Sequence, residues 1–98
     1  MGKPNLEDVM ESIVYQDANS FNERTLLKKI KDRMPGYVIQ VWDLDQYVSS
    51  ELFGSAMEEI CFTVNNEKKV LLDVQYVEEW WTNENDACFC VLAYKTKN

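Results

Sequence analysis

The spacing of apolar residues changes once along this chain, from a helical period to an alternating one, at Pro35-Gly36. Before that dipeptide the apolar residues recur every three or four positions, which is typical of amphipathic helices. After it, β-branched and aromatic residues alternate with other residues, which is typical of strands. Proline followed by glycine ends a helix, so the pattern predicts a helical first third and a sheet in the remainder.

Two helices are predicted before the proline. The first spans residues 6–18, because Asn5 is a good N-cap and an apolar stripe begins at Leu6. The second spans residues 22–34, and its stripe includes Leu26 and Ile30. Basic residues crowd the C-terminal half of this second helix, where the helix dipole favours positive charge.

Four strands are predicted after the glycine, over residues 37–44, 58–64, 69–78 and 87–95. In the second strand Ile60, Phe62 and Val64 share one face, and in the third Leu72 belongs to the inward set. The side chains expected to be buried are Ile13, Ile30, Phe62 and Leu72. Residues 65–67 then form an odd-length hairpin loop.

The predicted fold is one α+β domain over residues 1–98. Two N-terminal helices pack on one face of a four-stranded antiparallel sheet, in the order ααββββ, and the strands follow one another as a meander. Two helices cover one sheet face only, yet the first and last strands are apolar on both faces. This surplus of apolar residues predicts an apolar interface rimmed by carboxylates. Long strands with a large hidden core, or a third helix at residues 45–54, would also explain it.

Charge is distributed unevenly along the chain, which carries a net charge of −7 and no histidine. Residues 34–94 contain eleven acidic residues against only Lys68 and Lys69, whereas acidic and basic residues balance in residues 1–33. The net negative charge argues against direct binding of nucleic-acid phosphates or of an anionic membrane. The acidic half either confers solubility alone or steers the chain towards a positively charged partner.

No enzyme is predicted. The chain lacks the commonest general base, and its 3 glycines cannot form a phosphate-binding loop. No cofactor or metal is expected, although Asp43 and Asp45 share a strand face and could hold a divalent cation. The three cysteines, an odd number, and the absence of an apolar leader indicate reduced thiols and a cytoplasmic location, in the host cytoplasm if the chain is viral.

Acidic and aromatic residues alternate in the sheet half, and this interleaving predicts a binding surface for a protein. The predicted site residues are Asp43, Asp45, Asp73, Glu78, Glu79, Trp80 and Trp81. We expect a small acidic inhibitor of phage or mobile-element type that occupies a basic, nucleic-acid-handling surface of a nuclease, a polymerase or a defence complex. The alternative is an immunity-type or homodimeric accessory domain that uses the apolar sheet face as its interface.

Overall fold

The computed structural model describes residues 3–16, 23–44, 49–81 and 88–98. In these segments three helices and three strands follow in the order α1, α2, β1, α3, β2, β3. The helices are α1 (Leu6–Gln16), α2 (Glu23–Arg33) and α3 (Ser49–Asn66), and the strands are β1 (Val38–Leu44), β2 (Val70–Trp81) and β3 (Cys88–Lys97). The fold is mixed α+β, but the described part has three helices and three strands where two and four were expected.

Local signals explain where α1 begins and where α2 ends. The amide of Asp8 donates to Asn5 Oδ1 at 3.2 Å, so Asn5 caps the first turn of α1. Helix α2 stops just before Pro35-Gly36, where Gly36 adopts a φ of 85°. A glycine reaches this left-handed region without steric cost, which lets the chain turn directly into β1.

The prediction of a strand at residues 58–64 is wrong, because these residues belong to the second half of α3. Alternation of Ile60, Phe62 and Val64 suggested a strand, but Ile60 and Val64 are also four residues apart, as helix neighbours are. A helix buries Ile60 and Val64 on one side and turns Phe62 to the other, where 69% of it is exposed. The longer apolar series Phe53, Ala56, Met57, Ile60 and Val64 has the helical period.

Residues 65–67 are not a hairpin loop but close the C-terminus of α3. The amide of Lys69 donates to the Val64 carbonyl at 2.9 Å, and the amide of Lys68 donates to the Asn65 carbonyl at 3.1 Å. Lys68 has a φ of 57°. These two bonds around a left-handed residue form a Schellman motif, which satisfies carbonyls that the helix end leaves free.

The last strand lies in the middle of the sheet, between β1 and β2, and is antiparallel to both. Residues 88–93 of β3 are all buried. This stretch is apolar on both faces, so a central position with helices on either side removes most of its surface from water. The expected meander, in which sequence neighbours pair, is therefore wrong.

The sheet separates two apolar cores. Helices α1 and α2 pack on the face that includes Phe89 and Val91, and α3 packs on the face that includes Leu92. The surplus of apolar residues is thus explained by a third helix, which is longer than the alternative at residues 45–54. The face expected to be free for an interface is covered by α3 over β2 and β3.

Strand β2 carries two irregularities in its pairing with β3, between Leu72 and Gln75 and between Val77 and Trp80. Asp73, inside the first, has a φ of 52°. Such bulges change which side chains face the core. Leu72, which was expected to be buried, is 39% exposed, so that prediction is also wrong.

Candidate functional site

The structure separates the predicted site residues. Asp43, Glu78, Glu79 and Trp80 lie at one end of the sheet, whereas Asp73 lies near the other end of β2. The strand spacing places Asp73 about 17 Å from the row that contains Phe89. Asp45 lies outside the described residues. For Trp81 only the backbone is described, at the end of β2.

The acidic sheet end is defined here by Asp43, Glu78 and Glu79. Asp43 pairs in register with Phe89, and Phe89 pairs with Trp80, so the row crosses all three strands. All three carboxylates are exposed. Strands β1 and β2 contain no basic residue, and the lysines of β3 are near its opposite end. The local potential at this end is therefore negative.

Two buried cysteines of β3, Cys88 and Cys90, lie close to these carboxylates. Burial raises the pKa of Cys88, and the charges of Glu79 and Asp43 raise it further. Burial also raises the pKa of Cys90, which donates a hydrogen bond from Sγ to the Tyr76 hydroxyl at 2.9 Å. The Tyr76 hydroxyl can donate to the thiolate form in turn, which opposes the rise in pKa, and the charge of Glu78 adds to the rise. Carboxylates from β1 and β2 thus act on the same short stretch of β3.

Helix α3 contributes charge to the same side of the molecule. Leu52 packs against Cys88 and Cys90, so the first turn of α3, with Glu51, lies near the acidic sheet end. The helix contains three acidic residues and no basic one. Sequence reasoning missed this contribution, because the helical period from Phe53 to Val64 was hidden by the shorter alternation at residues 60–64.

Trp80 is an anchor of the core. It is half-buried and packs against the first core, with its ring centroid 6.2 Å from that of Phe89. Most of its apolar surface is therefore used inside the molecule, which leaves only part of the ring for a partner. Among the predicted site residues of the sheet end whose side chains the structure describes, the three carboxylates are the exposed ones.

Asp73 forms a hydrogen bond within the fold, away from the acidic sheet end. Its carboxylate accepts a hydrogen bond from the Tyr37 hydroxyl, and this bond, with burial and the carboxylate charge, raises the pKa of Tyr37. The neighbouring Gln75 accepts from the Leu6 amide at 2.6 Å and donates to the Pro4 carbonyl at 3.0 Å. Gln75, at the end of the first bulge in β2, therefore binds the chain at the start of α1. The Asp73 carboxylate is engaged in a hydrogen bond with Tyr37.

A groove of about 710 Å³ is lined by residues of α2, of the edge strand β1, of α3 and of β3. We call it the open-edge groove. Its lining includes Glu23 and Leu27 of α2, residues 38–42 of β1, and Glu59, Ile60 and Val64 of α3. Sequence reasoning did not find it, because it requires β1 to be an edge strand and residues 58–64 to be helical.

The described residues contain no cluster of three or more Cys, Asp or Glu side chains that could hold a metal ion. The possible cation site at Asp43 and Asp45 cannot be described, because Asp45 lies outside those residues. Among the helices that the structure describes, none is long and apolar enough to cross a membrane.

The three thiols differ in accessibility, which leads to a labelling prediction. Cys61 is exposed on α3, whereas Cys88 and Cys90 are buried. Because the thiolate is the reactive form, burial and a raised pKa both slow the two buried cysteines. We expect Ellman's reagent at neutral pH to titrate one thiol rapidly in the folded protein and all three in guanidinium chloride. Cys61→Ser should remove the rapid phase, and two or more rapid thiols would contradict the buried positions of Cys88 and Cys90.

Comparisons with known proteins give no family for this chain: no protein-family model, no curated protein and no solved structure matches it significantly.

Proposed function

We propose that this chain is a small acidic protein-binding module that occupies a positively charged surface of a partner protein. The observation that carries the proposal is the acidic sheet end, where Asp43 lies in the row of Phe89 and Trp80, and Glu78 and Glu79 lie in the irregularity just before Trp80. A fixed cluster of exposed carboxylates accelerates encounter with a basic surface and disfavours partners of like charge.

The class of partner follows from this field. Surfaces that handle nucleic acid carry clustered Lys and Arg, and these would attract the acidic sheet end in place of phosphates. A nuclease, a polymerase or a nucleic-acid-binding defence complex has such a surface, and a chain that covered it would act as an inhibitor. The encounter would take place in the cytoplasm, or in the host cytoplasm if the chain is viral, and no catalysis by the chain is required.

Reversing the charge at the sheet end should slow association. With a partner captured by affinity purification, we expect Glu78→Lys/Glu79→Lys to lower the association rate roughly tenfold at about 0.1 M salt. The dependence of the rate on salt should also flatten, because the Debye length falls from about 10 Å at 0.1 M to about 3 Å at 1 M. Stopped-flow or surface-based kinetics across that range would measure both effects.

The matched control is Glu7→Lys/Glu11→Lys, which makes the same change in net charge at exposed positions of α1. If both double variants slow association equally, net charge alone matters and the sheet end is not the binding surface. Added duplex DNA or RNA should compete with the chain for the partner. A partner that binds nucleic acid and the chain simultaneously would contradict the proposed inhibitory function.

A further inference from the structure

Strand β1 is an edge strand with a regular backbone. It pairs with β3 through seven consecutive residue pairs without a bulge. On its other side no strand of the described chain is paired with it. Alternate residues of an edge strand direct their N–H and C=O groups outwards, where another strand can bind them.

The two edges of the sheet are not equivalent. Strand β2 forms the other edge, and its two irregularities and the left-handed Asp73 interrupt the regular spacing of its backbone groups. Bulges of this kind hinder pairing with a further strand. Strand β1 has no such interruption, so it is the edge that can accept an additional strand.

An added strand in the open-edge groove would contact side chains on both sides, in addition to forming main-chain hydrogen bonds with β1. The groove is lined by residues 38–42 of β1, about 16 Å of strand. Ile39 and Val41 lie in the groove facing the first core, and Val38, which is 42% exposed, lies on the α3 side. Alternate side chains of an added strand would meet Leu27 on one wall and Ile60 on the other.

The charges of the groove specify the occupant. Glu23 stands on the α2 wall and Glu59 on the α3 wall, and both are exposed. Glu67 is already paired with Lys69, whose Nζ lies 2.9 Å from Glu67 Oε2. Carboxylates on both walls of the groove favour a segment in which Lys or Arg residues are interspersed with apolar ones, so that basic side chains reach both walls. A second copy of this chain would instead bring Glu23 and Glu59 near their own equivalents, which is unfavourable.

We propose that an extended basic and apolar segment of a partner protein binds in the open-edge groove as a fourth strand beside β1. This inference rests on the proposed function, since it states how a positively charged protein is held once the acidic sheet end has attracted it. Main-chain hydrogen bonds would supply affinity, and the alternating pockets and carboxylates would supply specificity.

The probe is a capped seven-residue peptide with Lys at positions 1, 4 and 7 and Val or Thr between them. Two further peptides carry N-methyl groups, one on odd and one on even residues. A strand pairs through one edge, so we expect one N-methylated peptide to lose binding and the other to retain it. Amide shifts in a titration of the full chain, followed by NMR, should be largest at β1.

Variants of the groove test its charge. Glu23→Gln/Glu59→Gln should weaken binding of the Lys peptide roughly two- to tenfold, because each exposed ion pair contributes modestly. The matched control Glu7→Gln/Glu11→Gln removes the same charge from α1 and should leave binding unchanged. A peptide with Glu in place of Lys should not bind.

Three results would overturn the inference: equal binding of both N-methylated peptides, amide shifts away from β1, or a dimer of the chain with β1 at its interface. These results leave the proposed function standing if Glu78→Lys/Glu79→Lys still slows association with the captured partner more than its control does. Conversely, Glu78→Lys/Glu79→Lys and its control Glu7→Lys/Glu11→Lys could slow association equally. The proposed function would then fail even if the peptide binds beside β1 as expected.

Discussion

Replacing Phe89 by Ala is expected to lower the free energy of unfolding by about 3–5 kcal/mol. Phe89 is fully buried in the central strand and touches the ring of Trp80. Removing its ring leaves a cavity between the sheet and the helices α1 and α2, and a central strand cannot collapse to fill that cavity without disturbing its pairing on both sides. Urea denaturation measured by far-UV circular dichroism gives the difference.

Val70→Ala is the control for this measurement, because Val70 is 56% exposed at the start of β2. Its cost should be about 0.5 kcal/mol or less. Since a loss of 3–5 kcal/mol is a large part of the stability of a small domain, Phe89→Leu provides a milder variant that should fold and should be less destabilised. The central position of β3 would be contradicted if Phe89→Leu were as stable as both Val70→Ala and the parent.

The second prediction separates a helix from a strand at residues 58–64. Ile60→Ala is expected to cost about 2–5 kcal/mol, because Ile60 is 5% exposed and packs between α3 and the sheet. Phe62→Ala should cost about 0.5 kcal/mol or less, because 69% of Phe62 is exposed and Ala is a better helix former than Phe. Truncating Phe62 is thus expected to lower the free energy of unfolding less than truncating Ile60, although Phe62 has the larger side chain.

A strand at these residues would remove the difference, since Ile60 and Phe62 would share the buried face and both truncations would be costly. Val64→Ala adds a third position, four residues after Ile60 on the same side of α3, and should also be costly. Large losses at both Ile60 and Phe62 would show that α3 does not extend through this segment.

The acidic sheet end was predictable in part. The excess of carboxylates after Gly36 is visible in composition, and Asp43, Glu78 and Glu79 do lie together and exposed. Asp73 could not be separated from them, because its role depends on a bulge and on Tyr37, which is 36 residues away in the chain. Trp80 was equally ambiguous, since a tryptophan beside carboxylates can serve an interface or a core.

Local pattern alone determined the first two helices, the strand after Gly36 and the concentration of negative charge in the second part of the chain. These features depend on interactions within a few residues, such as the Asn5 cap and the turn at Gly36. Tertiary structure decided the rest. Residues 58–64 by themselves are compatible with either period, and only the longer series from Phe53 to Val64 has the helical one. As a helix, these residues cover the second face of β3. Tertiary structure also places β3 in the centre and leaves β1 at the edge, because burial on both faces stabilises the most apolar strand more than any other.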